Sequence, residues 1–185
     1  VEEKQMSAEP EKMDLDIEVL VQNNRRGILN YNDGRGALIE LQEHGDEEYV
    51  SMRTLKSLST GRNKNLLRTL SLIIIDVIDE EVTLEDVLAE LRLTKYYDKA
   101  KEDMGTEDDL NVDVMDEFLE DASLDDIKRV MKNKNLRTCV SERIIEKYKE
   151  GDISPGIVEF VLTDRGVTDP YSFMDDIRIS QSYQP

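Results

Sequence analysis

The apolar residues of this chain change their spacing once, near Glu81, and this change constrains the fold more than any other feature of the sequence. Before Glu81, short apolar and β-branched runs are separated by turn-forming residues. After it, apolar residues recur every three or four positions, which is typical of amphipathic helices. Because strands come first and helices follow, the sequence predicts an α+β fold with a β-rich domain over residues 17–82 and a helical domain over residues 83–168.

The β-rich domain is expected to contain five strands. The candidate segments are residues 17–21, 27–31, 37–41, 49–52 and 70–78. Asp33-Gly34 indicates a hairpin, because glycine readily adopts the positive φ that a tight turn requires. The fifth segment is rich in β-branched residues, which favours a buried strand over a helix. A meander closed by the fifth strand would form a small β-barrel or a strongly bent antiparallel sheet, and residues 53–69 would hold a short helix or a long loop.

The helical domain carries clear start and stop signals. Thr83 precedes Asp86 at the spacing of a capping box, and Ser123 begins another apolar helical pattern. Gly151 and Gly166 each follow such a pattern and are expected to end helices. Helices are predicted from 83 to about 93, from 112 to 119, from 123 to 131, around 140–148, and from 155 to the residues before Gly166. Their short connections favour a compact helical bundle.

Three segments lack an apolar period. Residues 1–16 hold six acidic residues and two lysines and are interpreted as a flexible acidic arm. Residues 99–111 are interpreted as an acidic linker, and residues 169–185 as a tail. Ordering costs about 1–2 kcal/mol per residue, and these segments have few apolar groups to offset that cost. Both ends and residues 101–111 are therefore predicted to become ordered only against partners.

Charge is distributed unevenly along the sequence. The chain has 42 acidic and 24 basic residues, a net charge of -18, which argues against non-specific binding to nucleic acid. Residues 76–121 contain 18 acids and four bases, whereas residues 51–75 contain five bases and no acid. No aromatic residue lies in 51–75 to stack on bases. Charged segments of this kind also fit solvated faces that bind nothing. As the functional interpretation, the five bases are predicted to form an interface with an acidic protein surface, such as a second copy of the chain. They are Arg53, Lys56, Arg62, Lys64 and Arg68.

One acidic segment has the spacing of a calcium-binding loop. Its oxygen-bearing residues occupy positions 1, 3, 5 and 12 of an EF-hand-like pattern: Asp109, Asn111, Asp113 and Glu120. However, Val114 stands where the sharp turn needs glycine, and Asp116 stands where an apolar residue normally packs. The same residues fit a solvated acidic helix, and that interpretation is favoured. No metal and no cofactor is predicted.

Catalytic chemistry has few candidates. His44, the single histidine, lies in a Glu-His-Gly-Asp turn and is expected to be exposed. Cys139, the single cysteine, excludes an internal disulfide and is expected to be a small buried apolar residue rather than a reactive thiol. No catalytic residue is nominated, so the chain is predicted not to be an enzyme. No secretory signal and no membrane-spanning apolar run is recognised in the sequence.

Four motifs carry a resemblance to a known group of proteins. They are Val-Gln-Asn-Asn at 21–24, Gly-Arg-Gly-Ala-Leu-Ile-Glu-Leu at 34–41, Glu-Tyr-Val-Ser at 48–51 and Val-Leu-Ala-Glu-Leu-Arg-Leu-Thr-Lys-Tyr-Tyr at 87–97. This part of the chain resembles small structural proteins of tailed bacteriophages, and the helical segment 123–162 resembles their C-terminal helices. The resemblance implies a virion or assembly protein without catalytic residues. Such a protein would contact other virion proteins or copies of itself, in the host cytoplasm first and then in the particle.

An alternative function follows from the acidity alone. The carboxylates of residues 76–121 could act as phosphate surrogates, so that the chain blocks a basic nucleic-acid-binding protein as an inhibitor or DNA mimic. This interpretation explains the net charge directly. It gives no role to the basic segment 51–75, so a virion structural protein acting through protein contacts remains the first hypothesis.

Overall fold

The structure, a computed structural model, describes residues 13–182 except Arg35 and Ala37. Its α+β fold is the one predicted, with an antiparallel sheet region followed by helices. The strands are β1 Glu18–Asn23, β2 Leu29–Asn32, β3 Leu38–Leu41, β4 Glu47–Ser51 and β5 Leu72–Ile78. The helices are α1 Met52–Thr60, α2 Asn65–Arg68, α3 Leu84–Glu90, α4 Thr94–Met104, α5 Val112–Asp121, α6 Leu124–Met131, α7 Arg137–Glu150, α8 Pro155–Asp164 and α9 Pro170–Ser182.

The strands form two antiparallel units rather than a meander. The first is a three-stranded sheet in the order β4-β1-β5, and the second is the β2-β3 hairpin. The two units do not close into a barrel. Strand β1 is central because both β4 and β5 pair with it, and it is accordingly well buried: Val19 and Val21 are inaccessible to solvent, and even Gln22 is buried. A register shift between Leu20 and Val21 marks a local irregularity where β1 pairs with β5.

Residues 52–69 form helices α1 and α2 rather than a long loop. The Ser51 side chain accepts a hydrogen bond from the Thr54 amide and caps α1. Leu55 and Leu58 of α1 and Leu67 of α2 are fully buried. The two helices are therefore anchored to the core by leucines, while the bases between these leucines remain on the outside.

The predicted capping boxes are present at the start of α3, from Thr83 and Asp86, and at the start of α6, from Ser123 and Asp126. Gly151 adopts the left-handed conformation that ends α7, as expected. Helix α3 ends at Glu90, and a separate helix, α4, begins at Thr94. The chain turns between them, where Arg92 has a φ of 58°.

The acidic linker predicted over residues 99–111 is wrong in its first half. Residues 99–104 belong to α4, because Tyr97, Ala100 and Met104 are buried along one side of that helix. Residues 105–111 lie outside helices and strands, yet Leu110 is buried in the core.

The predicted arm and tail are also shorter than expected. Residues 170–182 form α9, which buries Met174 and Ile177 against the core. At the other end, Met13 and Leu15 pack against the core, and the Arg53 amide donates a hydrogen bond of 2.9 Å to the Leu15 carbonyl. Residues 1–12 and 183–185, the remainder of the arm and tail, lie outside the described residues.

The buried side chains form one continuous apolar cluster that joins the sheet to the helices. It extends from Ile17, before β1, to Ile177 in α9. The same cluster holds α1, α3 and α4 in place through their buried leucines, Tyr97 and Met104. Among the helices of residues 13–182, none is long and apolar enough to cross a membrane.

Candidate functional site

A basic cleft lies where α1 and α2 meet the end of α3. It encloses about 620 Å³. Its charged lining consists of Lys56 in α1, Lys64 just before α2, Arg68 at the end of α2, Glu90 at the end of α3 and Arg92 just after α3. The hydroxyl-bearing residues Ser57, Ser59 and Thr60 and the side chain of Leu91 complete it. These residues are called the basic cleft below.

Buried leucines set the direction of the cleft's cations. Arg92 follows Leu91 and precedes Leu93, both of which are buried, so the intervening arginine projects into solvent. The left-handed backbone at Arg92 accompanies a hydrogen bond of 2.7 Å from the Leu93 amide to the Leu88 carbonyl, which folds the chain back on α3. Together with the hydrogen bond of 3.0 Å from the Arg92 amide to the Ala89 carbonyl, this is the Schellman arrangement in which a helix commonly ends, so helix termination explains the positive φ of Arg92.

The cleft carries a net charge of about three positive units. Lys56 forms an ion pair with Glu90. Within the described ranges, Lys64, Arg68 and Arg92 make no ion pair within 4 Å. Among the described residues, three cations therefore share one concave surface whose carboxylate, that of Glu90, is paired with Lys56. Such a surface attracts anions, and its field is focused by the cleft walls.

The structure brings together three of the five predicted interface residues: Lys56, Lys64 and Arg68. Arg53 lies elsewhere and pairs with Asp16 at 2.8 Å. Arg62 is exposed in the connection between α1 and α2 and does not line the cleft. Sequence reasoning missed Arg92, because it stands in the acidic stretch. Its position between two apolar residues at the end of an amphipathic helix was the available signal.

A second, acidic groove lies between α3, α4 and residues 105–111 and encloses about 640 Å³. Its charged lining is Glu85, Asp86, Asp98, Lys101 and Asp109, and its uncharged lining is Thr83, Leu84, Leu88, Ala89, Thr94, Tyr97 and Leu110. A hydrogen bond connects the groove lining to the sheet: the Tyr97 hydroxyl accepts it from the Ile74 amide of β5 at 2.7 Å. Burial raises the pKa of Tyr97, so this hydroxyl stays protonated.

The residues of the EF-hand-like pattern are engaged separately. Asp109 pairs with Lys101 at 2.8 Å, Asn111 caps α5 by accepting from the Val114 amide, and Glu120 pairs with Lys147 at 2.8 Å. Asp113 lies exposed in the first turn of α5. Within the part of the chain that the structure describes, no group of three or more His, Cys, Asp or Glu side chains is placed to hold a metal ion.

His44 and Cys139 line a small cavity of about 210 Å³. His44 is half-buried, so its expected exposure is wrong, and burial together with the charge of Arg143 lowers its pKa. Cys139 is buried as predicted, and burial raises its pKa to about 11. Its Sγ lies 3.6 Å from the Thr69 carbonyl oxygen. The thiol is therefore protonated at neutral pH and is not an activated nucleophile.

Charged side chains join α5 to α7 beside this cavity. The Arg143 Nε donates to Asp116 Oδ1 at 2.7 Å. Lys147, which is almost fully buried, donates to Glu120 at 2.8 Å and lies 3.5 Å from Asp116. Burial by itself would raise the pKa of Asp116, but the hydrogen bond and charge of Arg143 lower it overall. These pairs fasten two helices together and serve a structural role.

No protein-family model matches the chain, and neither the curated proteins nor the solved structures include a significant match to it. The basic cleft and the acidic groove are therefore interpreted from their own chemistry.

Proposed function

We propose that this chain is a non-enzymatic structural or assembly protein of a tailed-bacteriophage particle, in its head, neck or tail. It works through protein contacts, and the basic cleft binds an acidic surface of a neighbouring protein in the particle. The resemblance of residues 17–97 and 123–162 to phage structural proteins supports a place in a phage particle. The chemistry of the cleft supports the mode of action.

The observation that carries the proposal is the set of three cations in the cleft, Lys64, Arg68 and Arg92, that have no ion pair within 4 Å among the described residues. The chain as a whole has a net charge of -18, so carboxylates to neutralise them are abundant elsewhere in the molecule. Like charges held together repel one another, and an acidic partner surface removes that repulsion on binding.

A protein partner fits the cleft better than nucleic acid does. No aromatic side chain is among the described residues that line the cleft, so these residues offer bases no surface on which to stack. Duplex DNA carries one negative charge per about 1.7 Å along its axis, so it meets the acidic surfaces of this chain, whose net charge is -18, as well as the cleft. An acidic protein surface of limited size can approach the cleft while its own basic groups face the acidic regions nearby.

Charge reversal in the cleft tests the mode of action. The variant Lys64→Glu/Arg68→Glu is compared with Lys134→Glu/Arg165→Glu, which reverses two exposed cations elsewhere that also make no ion pair among the described residues. Fluorescence anisotropy with labelled poly-L-glutamate should show salt-dependent binding by the parent and the control. The cleft variant should bind at least about tenfold more weakly, a loss of about 1.4 kcal/mol.

The same titration with a short DNA duplex tests whether the cleft binds nucleic acid instead. If the parent binds DNA more tightly than poly-L-glutamate, and only the cleft variant loses that binding, the cleft is a nucleic-acid site. The protein-contact proposal would then be abandoned.

The proposal that the chain is part of a phage particle is tested separately. Density-gradient-purified particles of the phage that encodes the chain are analysed by mass spectrometry. Peptides of the chain should be present at an abundance similar to that of known structural proteins of the particle. Their recovery from the lysate but not from purified particles would contradict a virion role, whatever the cleft binds.

The second candidate function is an acidic inhibitor or DNA mimic, which the 18 acidic residues of 76–121 favour. Such a protein would compete with DNA for a basic nucleic-acid-binding protein through its acidic surface. Charge reversal in the basic cleft should then leave the inhibition unchanged, whereas Glu85→Lys/Asp98→Lys should weaken it.

A further inference from the structure

The basic cleft and the acidic groove share one helix, α3. Glu90 and the two residues after it line the cleft, whereas one side of the groove is supplied by Thr83, Leu84, Glu85, Asp86, Leu88 and Ala89. Because α3 has seven residues and an α-helix rises about 1.5 Å per residue, the α3 residues that line the two surfaces lie within about 10 Å of one another along the helix axis. The molecule therefore has a positive and a negative concave surface that share one helix.

The two surfaces are opposite in charge. Among the described residues, the cleft has four cations and one carboxylate, and the groove has four carboxylates and one cation. Lys101, the groove's single cation, already pairs with Asp109. Glu85 and Asp98 make no ion pair within 4 Å in the described part of the chain, like Lys64 and Arg68 in the cleft. Each surface thus has unneutralised groups of the sign that the other requires.

We infer that the occupant of the basic cleft is the acidic groove of a second copy of this chain, related to the first by a two-fold axis beside α3. The inference rests on the proposed function, because it names the partner that binds the same cleft. In a two-fold arrangement, the rotation that brings one copy's groove to the partner's cleft also brings its cleft to the partner's groove. Both contacts then form at once.

The side chains of α3 suit such an approach. Ala89 lines the groove, is exposed, and precedes Glu90, which lines the cleft. A small exposed side chain between the two surfaces allows the backbones of two copies to come close. A two-fold contact uses both surfaces of each copy at once, so it closes as a dimer instead of continuing head to tail into a filament.

A second copy also fits better than an unrelated acidic protein. Each dimer contains the oppositely charged contact twice, and each contact pairs about three positive with about three negative charges. The remote net charge of -18 on each copy opposes association, but at about 0.15 M salt this long-range repulsion is screened, while charges in direct contact still attract.

Complementary charge reversals test the inference. Size-exclusion chromatography with light scattering at physiological salt should find a dimer for the parent. The variants Lys64→Glu/Arg68→Glu and Glu85→Lys/Asp98→Lys should each be monomeric, with unchanged circular dichroism. An equimolar mixture of the two variants should restore a dimer, because each reversed surface then meets a complementary one. The control Lys134→Glu/Arg165→Glu should remain dimeric.

Several results would overturn the inference. A parent that stays monomeric at all concentrations excludes it, as does a dimer that persists in both variants or a mixture of variants that does not associate. Oligomers larger than a dimer would indicate a head-to-tail arrangement instead of the two-fold one. In each of these cases the binding of poly-L-glutamate, lost only in the cleft variant, would still support the proposed function, so the two failures can be told apart.

Discussion

At the scale of single residues, Asp116 combines burial with two cationic neighbours. It accepts hydrogen bonds from Arg143 and lies near Lys147, which is almost fully buried. Removing one member of such a cluster leaves the others without their shared counter-charge, and that costs more than the loss of an exposed pair.

We expect Asp116→Ala to lower the free energy of unfolding by about 1–3 kcal/mol, measured by urea denaturation at neutral pH. The matched control is Asp125→Ala, which removes a carboxylate that pairs with Lys128 at the protein surface. That control should change stability by less than about 0.5 kcal/mol. Equal effects of the two substitutions would contradict the structural role assigned to Asp116.

The pH dependence of stability follows from the same residue. Because the pKa of Asp116 is lower in the folded protein than in the unfolded chain, its contribution is fully present above the unfolded pKa, about 3.9. It is lost as the pH falls through the lower, folded value. Urea midpoints measured from pH 6 down to about pH 3 should therefore fall more steeply for the parent than for Asp116→Asn. Parallel profiles would contradict the lowered pKa.

Cys139 provides a test of burial in solution. Its pKa rises from 9.0 to about 11, which leaves about a hundredfold less thiolate at neutral pH than an ordinary cysteine has. We expect labelling by iodoacetamide to be at least about a hundredfold slower in the native protein than in urea. Equal rates in the two conditions would place the thiol at the surface.

At the scale of elements, local signals predicted the helix starts well, whereas pairing between distant segments could not be predicted. The capping boxes of α3 and α6 use residues three positions apart, so the sequence contains everything that forms them. The central place of β1 depends on which strands pair with it, and β5 lies far along the chain. The basic cleft was predicted in part for the same reason: Arg92 joins Lys64 and Arg68 only through the packing of α3 against the sheet region.

Helix α9 shows how a weak apolar period was overlooked. Its buried residues, Met174 and Ile177, are three positions apart, but acidic and polar neighbours conceal the pattern. The same is true of Tyr97, Ala100 and Met104 in α4, a helix rich in lysine and acidic residues. In both helices, a few buried side chains suffice to hold a mostly polar helix on the core.

Helix α9 also yields a prediction with a control in the same element. Ile177 is buried and Ile179 is about half exposed, so one substitution leaves a cavity and the other does not. We expect Ile177→Ala to lower the free energy of unfolding by about 2–3 kcal/mol and Ile179→Ala by less than about 0.5 kcal/mol. Urea denaturation measures both. If Ile177→Ala left the free energy of unfolding unchanged, residues 170–182 would behave as the tail expected from the sequence.

At the scale of the whole molecule, the net charge of -18 opposes the compact state through repulsion between like charges. Added salt screens this repulsion, so we expect the melting temperature to rise between about 0.01 M and 0.15 M sodium chloride, where the Debye length falls from about 30 to about 8 Å. Differential scanning fluorimetry measures the change. The variant Glu85→Lys/Asp98→Lys replaces two negative with two positive charges, which gives a net charge of -14. Its melting temperature should therefore rise less with added salt than that of the parent. A melting temperature that falls with salt would show that attractive pairs dominate.

The central position of β1 has a consequence for synthesis on the ribosome. Glu18 of β1 pairs with Ile78 of β5, so β1 leaves the exit tunnel well before one of its two partner strands has been translated. The β2-β3 hairpin, whose strands are close in sequence, can close first. A nascent chain released before β5 emerges would present an unpaired edge of β1, with Val19 and Val21 exposed, as a template for aggregation. Premature termination in this interval is therefore the point at which the newly made chain most needs a chaperone.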